Sequence, residues 1–96
     1  MNTDALAMTI IGYAGQSQSL IQEAAMEARK QNTERALELL NQAEESVLEA
    51  HKVHTELLAH TAADAIMPNF LMVHASNHLS QAQSMLFTAR LFVESR

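Results

Sequence analysis

A 96-residue chain with one proline, Pro68, and two glycines, Gly12 and Gly15, has few places where regular structure can break. Ala, Leu, Glu, Gln and Met, the strongest helix formers, dominate the rest. Strand-forming aromatic and β-branched residues are sparse, with aromatics at 4% and no Trp. These choices predict an all-α chain. Its length suits a single domain, residues 1–96, with a modest core.

Apolar periodicity divides the chain into three helices. The first is expected from about residue 4 to residue 31, with apolar positions at Leu6, Ile10, Ile11, Ala14, Leu20, Ile21, Ala24, Ala25 and Ala28. Gly12 and Gly15 fall inside it, each costing about 1 kcal/mol of helix propensity, and are read as points of close helix–helix approach. Asn32 is expected to cap a second helix, with Glu34 in its first turn favourable to the helix dipole. That helix is expected to run to about residue 61, and residues 62–67 to form a loop or frayed end. Pro68 disfavours helix at its predecessor, and Asn69 is expected to cap a third helix running to the C-terminus. The first connection is so short that its two helices must be antiparallel neighbours. An antiparallel three-helix bundle, a spectrin-repeat-like hairpin, follows. The third helix is apolar around more of its circumference than one core-facing stripe requires, at residues 70–73, 85–87 and 91–93. Self-association would cover the excess.

Charge narrows the function classes. The formal net charge is −5, with six scattered Lys and Arg residues, which provide no patch for nucleic-acid phosphates. No apolar run approaches the roughly 20 residues of a membrane-spanning helix, and no basic segment precedes the apolar residues at the N-terminus as in a signal peptide. Cysteine is absent, which excludes a disulfide framework and thiolate metal sites. A soluble, cytoplasmic protein is expected, without nucleic-acid binding or direct membrane insertion.

The candidate chemistry lies in five histidines, at positions 51, 54, 60, 74 and 78. His74 and His78, in the stretch VHASNH, are four residues apart and share a helix face, and His51 and His54 are three apart. Three readings fit this spacing. The imidazoles can be inert polar residues in the interior. They can form a Zn²⁺ or di-metal site, as paired histidines do in helical bundles. Or a neutral imidazole nitrogen can attack phosphorus and carry a phosphoryl group. The spacing alone does not choose among them.

Three segments together resemble one family. LMVHASNHL, residues 71–79, is similar to the LLVHAQDHLM signature of the lactose/cellobiose/diacetylchitobiose-type enzyme IIA of the bacterial sugar phosphotransferase system. IIGYAGQSQSL, residues 10–20, resembles the family's I-x-x-x-G-x-A-R-S segment, and AHKVHTELL, residues 50–58, its A-H-x-x-Q-T-x-L. The likeness spans essentially the whole chain. It implies a three-helix hairpin that trimerises into a nine-helix bundle. It also implies phosphorylation of the first histidine of the signature, here His74, with His78 as a supporting residue. The implied relay takes a phosphoryl group from the phosphocarrier HPr and passes it to a cysteine of a cognate IIB component while the membrane component IIC imports the sugar. His51 and His54 are candidate contacts to the phosphate, His54 from a neighbouring subunit. The acidic surface suits docking against a basic patch on a donor protein.

The departures from the family pattern are specific. Asn77 stands where the signature has a metal-binding aspartate, Ser76 where it has glutamine, Gln18 where the first-helix motif has arginine, and His54 where the second-helix motif has glutamine. Three converging carboxylates favour a cation, whereas three amides carry no charge, so a divalent ion is expected to be absent or weakly held, and no other cofactor is implied. The alternative is a diverged regulatory or interaction paralogue that keeps the fold and relays phosphate weakly or not at all.

Overall fold

The computed structural model describes residues 2–95, so Met1 and Arg96 lie outside the described residues. It contains three α-helices in chain order: α1 (Thr3–Arg29), α2 (Thr33–Ala63) and α3 (Phe70–Glu94). They lie alongside one another in a slender bundle of 50 × 17 × 16 Å. The expected continuation of the third helix to the last residue includes Arg96, outside the described range.

Each helix buries residues spaced alternately three and four apart. On α1 these are Ala7, Ile10, Ala14, Ser17, Ile21, Ala24 and Ala28. On α3 they are Met72, Ala75, Leu79, Ala82, Leu86 and, after the half-buried Ala89, Val93. Such spacing produces the shallow left-handed crossing of coiled coils and helical bundles. Alanine fills many of these positions and lets the backbones approach closely, while Leu39, Leu40, Leu57, Leu79 and Ile10 supply the bulk. α1 packs most extensively on α2, and the α2–α3 seam is the thinnest of the three.

The expectation for the glycines is corrected by the packing. A Cβ placed at Gly12 or Gly15 meets nothing within 4 Å. Close approach is made instead by alanines, which sit on the inward ridges while Gly12 faces solvent and Gly15 is half-buried.

The helix ends hold three further corrections. α1 starts earlier than expected because the Asn2 side chain accepts from the amides of Asp4 and Ala5. Asn32 occupies the N-cap position of α2, but its side chain makes no cap bond and donates to Glu27 Oε2 at 2.8 Å. Its backbone amide closes α1 by bonding Glu27 O, while Gln31 N bonds Ala28 O and Gln31 takes φ 66°. This left-handed closure ends α1 at Arg29 rather than at residue 31. α2 finishes in a similar way, with Ala65 at φ 52° and Ile66 N bonded to Thr61 O. α3 begins as expected, with Asn69 Oδ1 accepting from Met72 N at 2.9 Å.

Candidate functional site

The segment Pro68-Asn69-Phe70 sets the geometry of the site. Proline ends the loop and Asn69 caps the first turn, so Phe70 is the first helical residue and His74 stands one turn further along the same ridge. The Phe70 ring stacks against the His74 imidazole, with centroids 6.0 Å apart and planes 9° from parallel. On the other side, His78 meets His74 nearly at right angles, with centroids 4.5 Å apart and an 87° interplanar angle. Three rings therefore stand in a column at i, i+4 and i+8. His74 is exposed and His78 half-buried. The Nδ1 atom of His78 is buried and has no hydrogen-bond partner within the described chain.

A second set of polar side chains ties α2 to α3. His54 Nε2 and Ser76 Oγ share a hydrogen bond at 2.9 Å, with the donor set by the histidine tautomer. His51 pairs through Nε2 with the Gln83 side chain. Towards the far end, Arg90 donates to Asn41 at 2.9 Å and to Glu44 at 3.3 Å. These polar contacts lie along the most thinly packed seam. Burial, and secondly the neighbouring His51, hold the His54 imidazole below its ordinary pKa. An apolar groove of about 250 Å³ opens beside this pair, lined by Leu57, Leu58, Pro68, Met72 and Val73 together with His54.

The five histidines therefore divide by environment. His74 and His78 form one contact pair, whereas His51 and His54 are each engaged with α3 of their own chain. His60 is half-buried near the end of α2. Gln18 is half-buried on α1 and Asn77 is exposed on α3. Among the described residues, no three His, Cys, Asp or Glu side chains are grouped to hold a metal ion. Asn77 offers a neutral amide oxygen, which a hard cation binds less readily than a carboxylate. Sequence reasoning missed Phe70, Ser76 and Gln83 as partners of the histidines. The i, i+4 rule that pairs His74 with His78 also pairs Phe70 with His74, whereas the contacts of Ser76 and Gln83 depend on how α2 and α3 are rotated against each other.

A bundle of three antiparallel helices with a solvent-facing histidine on a capped helix defines a helical protein that presents an imidazole on its surface. Known proteins specify which kind. Residues 5–96 match the family described as "PTS system, Lactose/Cellobiose specific IIA subunit", and the chain belongs to that family. It is 35% identical over 75 residues to the lactose-specific EIIA component of Staphylococcus epidermidis, spanning 77% of this chain and 72% of that one. It is 37% identical over 78 residues to the galactose-specific EIIA component of Lactococcus lactis subsp. cremoris, spanning 80% and 67%. The crystal structure of PtcA from S. mutans superposes with a TM-score of 0.88 at 32% identity, covering 98% of this chain and 96% of that one. The all-α three-helix expectation therefore stands, as does the resemblance, and the chain is a component of a sugar phosphotransferase system. No described helix is long and apolar enough to cross a membrane.

Proposed function

We propose that this chain is a cytoplasmic phosphocarrier that accepts a phosphoryl group from phospho-HPr on His74 and passes it to the cysteine of a cognate IIB component. The transported sugar is a disaccharide of the lactose, cellobiose or chitobiose type, imported by the associated IIC component. The observation that carries the reading is the exposed His74 imidazole, held between Phe70 and His78, in a chain of this family.

The chemistry follows from the imidazole. A neutral His74 ring has one nitrogen lone pair, which attacks phosphorus in line with the donor's P–N bond. A P–N bond forms at His74 as the donor bond breaks. The bonding pair returns to the donor nitrogen, which leaves as neutral imidazole. His74 keeps the proton on its other nitrogen and becomes a phosphoimidazolium. In the next transfer a thiolate sulfur attacks the same phosphorus, a P–S bond forms, and the electron pair returns to His74. Little covalent work falls to the protein, so positioning dominates. The amides opening α3 contribute little, because Met72 N bonds the Asn69 side chain and Val73 N bonds Asn69 O.

The same reading includes a homotrimer. Exposed Phe70, Val73, Phe87 and Leu91 leave an apolar stripe along α3 that a single chain does not cover. Asn77 lies within it, so a trimer formed through α3 would bring amides rather than carboxylates to its axis, with no strong divalent site. His78 is the supporting histidine, and His54 contributes across a subunit boundary or by holding Ser76.

The test is a phosphoenolpyruvate-driven relay with HPr, followed by mapping of the label. An acid-labile, base-stable phosphate that disappears in His74→Ala and persists, formed more slowly, in His78→Ala supports the proposal. No label from a competent phospho-HPr would indicate instead the regulatory paralogue reading.

A further inference from the structure

We infer that Leu48 of each subunit seats in a groove between α1 and α3 of its neighbour, so that α2 joins α3 in the contact between copies. This rests on the homotrimer reading above and deepens it. From Phe70 to Ala89, α3 carries no Asp, Glu, Lys or Arg, although 18% of the chain is charged. Loss of charge around a helix marks the core of an interface rather than a solvated face. Along its outward side Phe70, Val73, Asn77, Ser80, Ser84, Phe87 and Leu91 are all exposed and recur three and four residues apart. Apolar positions at both ends enclose a polar middle, so copies aligned in register match like with like.

The two flanks of this stripe differ. On one flank Ser76, Gln83 and Arg90 bond to α2, at His54, at His51, and at Asn41 with Glu44. On the other, Ser84, Met85, Thr88, Ala89 and Phe92 form with Ile21 of α1 an almost wholly apolar groove of about 470 Å³. Three parallel helices about a threefold axis set the first flank of each copy against the second flank of the next. Antiparallel pairing would instead bring like flanks together.

Leu48 is 54% exposed. It lies on the surface of α2 between Glu44 and His51, four residues after one and three before the other. Glu44 meets Arg90 and His51 meets Gln83, so Leu48 stands level with residues 83–90 of α3, the height at which the groove opens. Threefold rotation preserves that height. An aliphatic knob on the α2-bearing flank therefore faces an apolar groove on the α1-bearing flank of the next copy. A second copy of this chain is the occupant that fits both surfaces, and the contact is continuous with the α3 stripe.

The chain has no cysteine, so single cysteines can be introduced without background. Chains carrying Leu48→Cys and Thr88→Cys, with tags of different size, are co-expressed and oxidised with copper phenanthroline. A mixed disulfide dimer is expected from this pair and none from Gln16→Cys with Thr88→Cys, because Gln16 lines a groove formed by α1 and α2 alone. In sedimentation, Leu48→Glu is expected to weaken assembly by roughly tenfold or more while keeping the helical circular dichroism of the parent, and Leu48→Met to assemble normally. A trimeric parent that gives no mixed disulfide, or whose Leu48→Glu variant assembles equally well, would overturn the inference and leave the trimer intact. Slower His74 labelling in Leu48→Glu at unchanged assembly would assign Leu48 to donor docking, with the same consequence. A monomeric or dimeric parent would remove the trimer, and the Leu48 contact with it.

Discussion

His54 of α2 and Ser76 of α3 are joined at 2.9 Å, although 22 residues separate them in the chain. Both positions carry glutamine in the family motifs that the chain resembles, so two departures from the pattern meet in one contact. Here an imidazole and a hydroxyl form a polar rung across the seam. It also introduces an ionisable group.

That substitution predicts a pH-dependent stability. The His54 pKa is lowered in the fold from an unfolded value of 6.5, by burial and by His51. The unfolded chain therefore binds the proton first as pH falls. The contribution is fully present above pH 6.5 and is lost as pH drops through that value towards the lower folded pKa. Thermal unfolding is expected to show a falling Tm between neutral and mildly acid pH, with a shallower fall in His54→Gln. Identical slopes for the two proteins would sink the assignment to His54.

Ser17 is fully buried on α1, and its hydroxyl has no hydrogen-bond partner among the described residues. Burying such a group without compensation costs about 1–3 kcal/mol, and alanine is also the better helix former. Ser17→Ala is therefore expected to stabilise the protein by about 1 kcal/mol, read as a higher denaturant midpoint at unchanged m-value. Destabilisation would mean that the hydroxyl is satisfied in solution.

Ala65 closes α2 at φ 52°, a conformation that disfavours any residue with a Cβ. Ala65→Gly is expected to stabilise by up to about 1 kcal/mol, because relief of strain outweighs the added freedom of the unfolded chain. Chemical denaturation measures it, and a loss of stability would argue against the left-handed closure.

Gly12 lies within a continuous helix, and a methyl group added there would project into open space. Gly12→Ala should gain roughly 0.8–1 kcal/mol of helix propensity with no clash. If unfolding experiments show a loss instead, another subunit must approach this face closely enough to need glycine.

Leu91 is exposed on α3 in line with Phe70, Val73 and Phe87. Leu91→Lys costs the single chain little, since the residue is already in contact with solvent, but would bury a charge in any assembly formed through this stripe. Analytical ultracentrifugation is expected to show dissociation to a folded, helical monomer. A variant that sediments like the parent would exclude this part of α3 from the interface.

Helix number, order and approximate limits are legible in the sequence because they are local. One proline, few glycines and a three-and-four apolar spacing leave little alternative, and Asn69 before Phe70 is a start signal of the same kind. The ends are less legible where closure depends on backbone conformation. Gln31 adopts a left-handed φ usually taken by glycine, so nothing in its side chain announces the end of α1. Asn32 has the composition of a cap, but Glu27 draws its side chain away. Gly12 and Gly15 mislead for a related reason: small residues suggest close approach, but alanines on the inward ridge supply it.

The sequence by itself determined the three helices, their antiparallel order and the shared ridge of His74 and His78. Each is a consequence of helical periodicity over a few residues or of a connection too short to span the bundle. Tertiary structure decided that His54 meets Ser76, that His51 meets Gln83 and that Ser17 is left without a partner among the described residues. Those outcomes depend on the rotation of each helix about its own axis. Close packing of the alanine-rich faces sets that rotation, and no single segment of the chain encodes it.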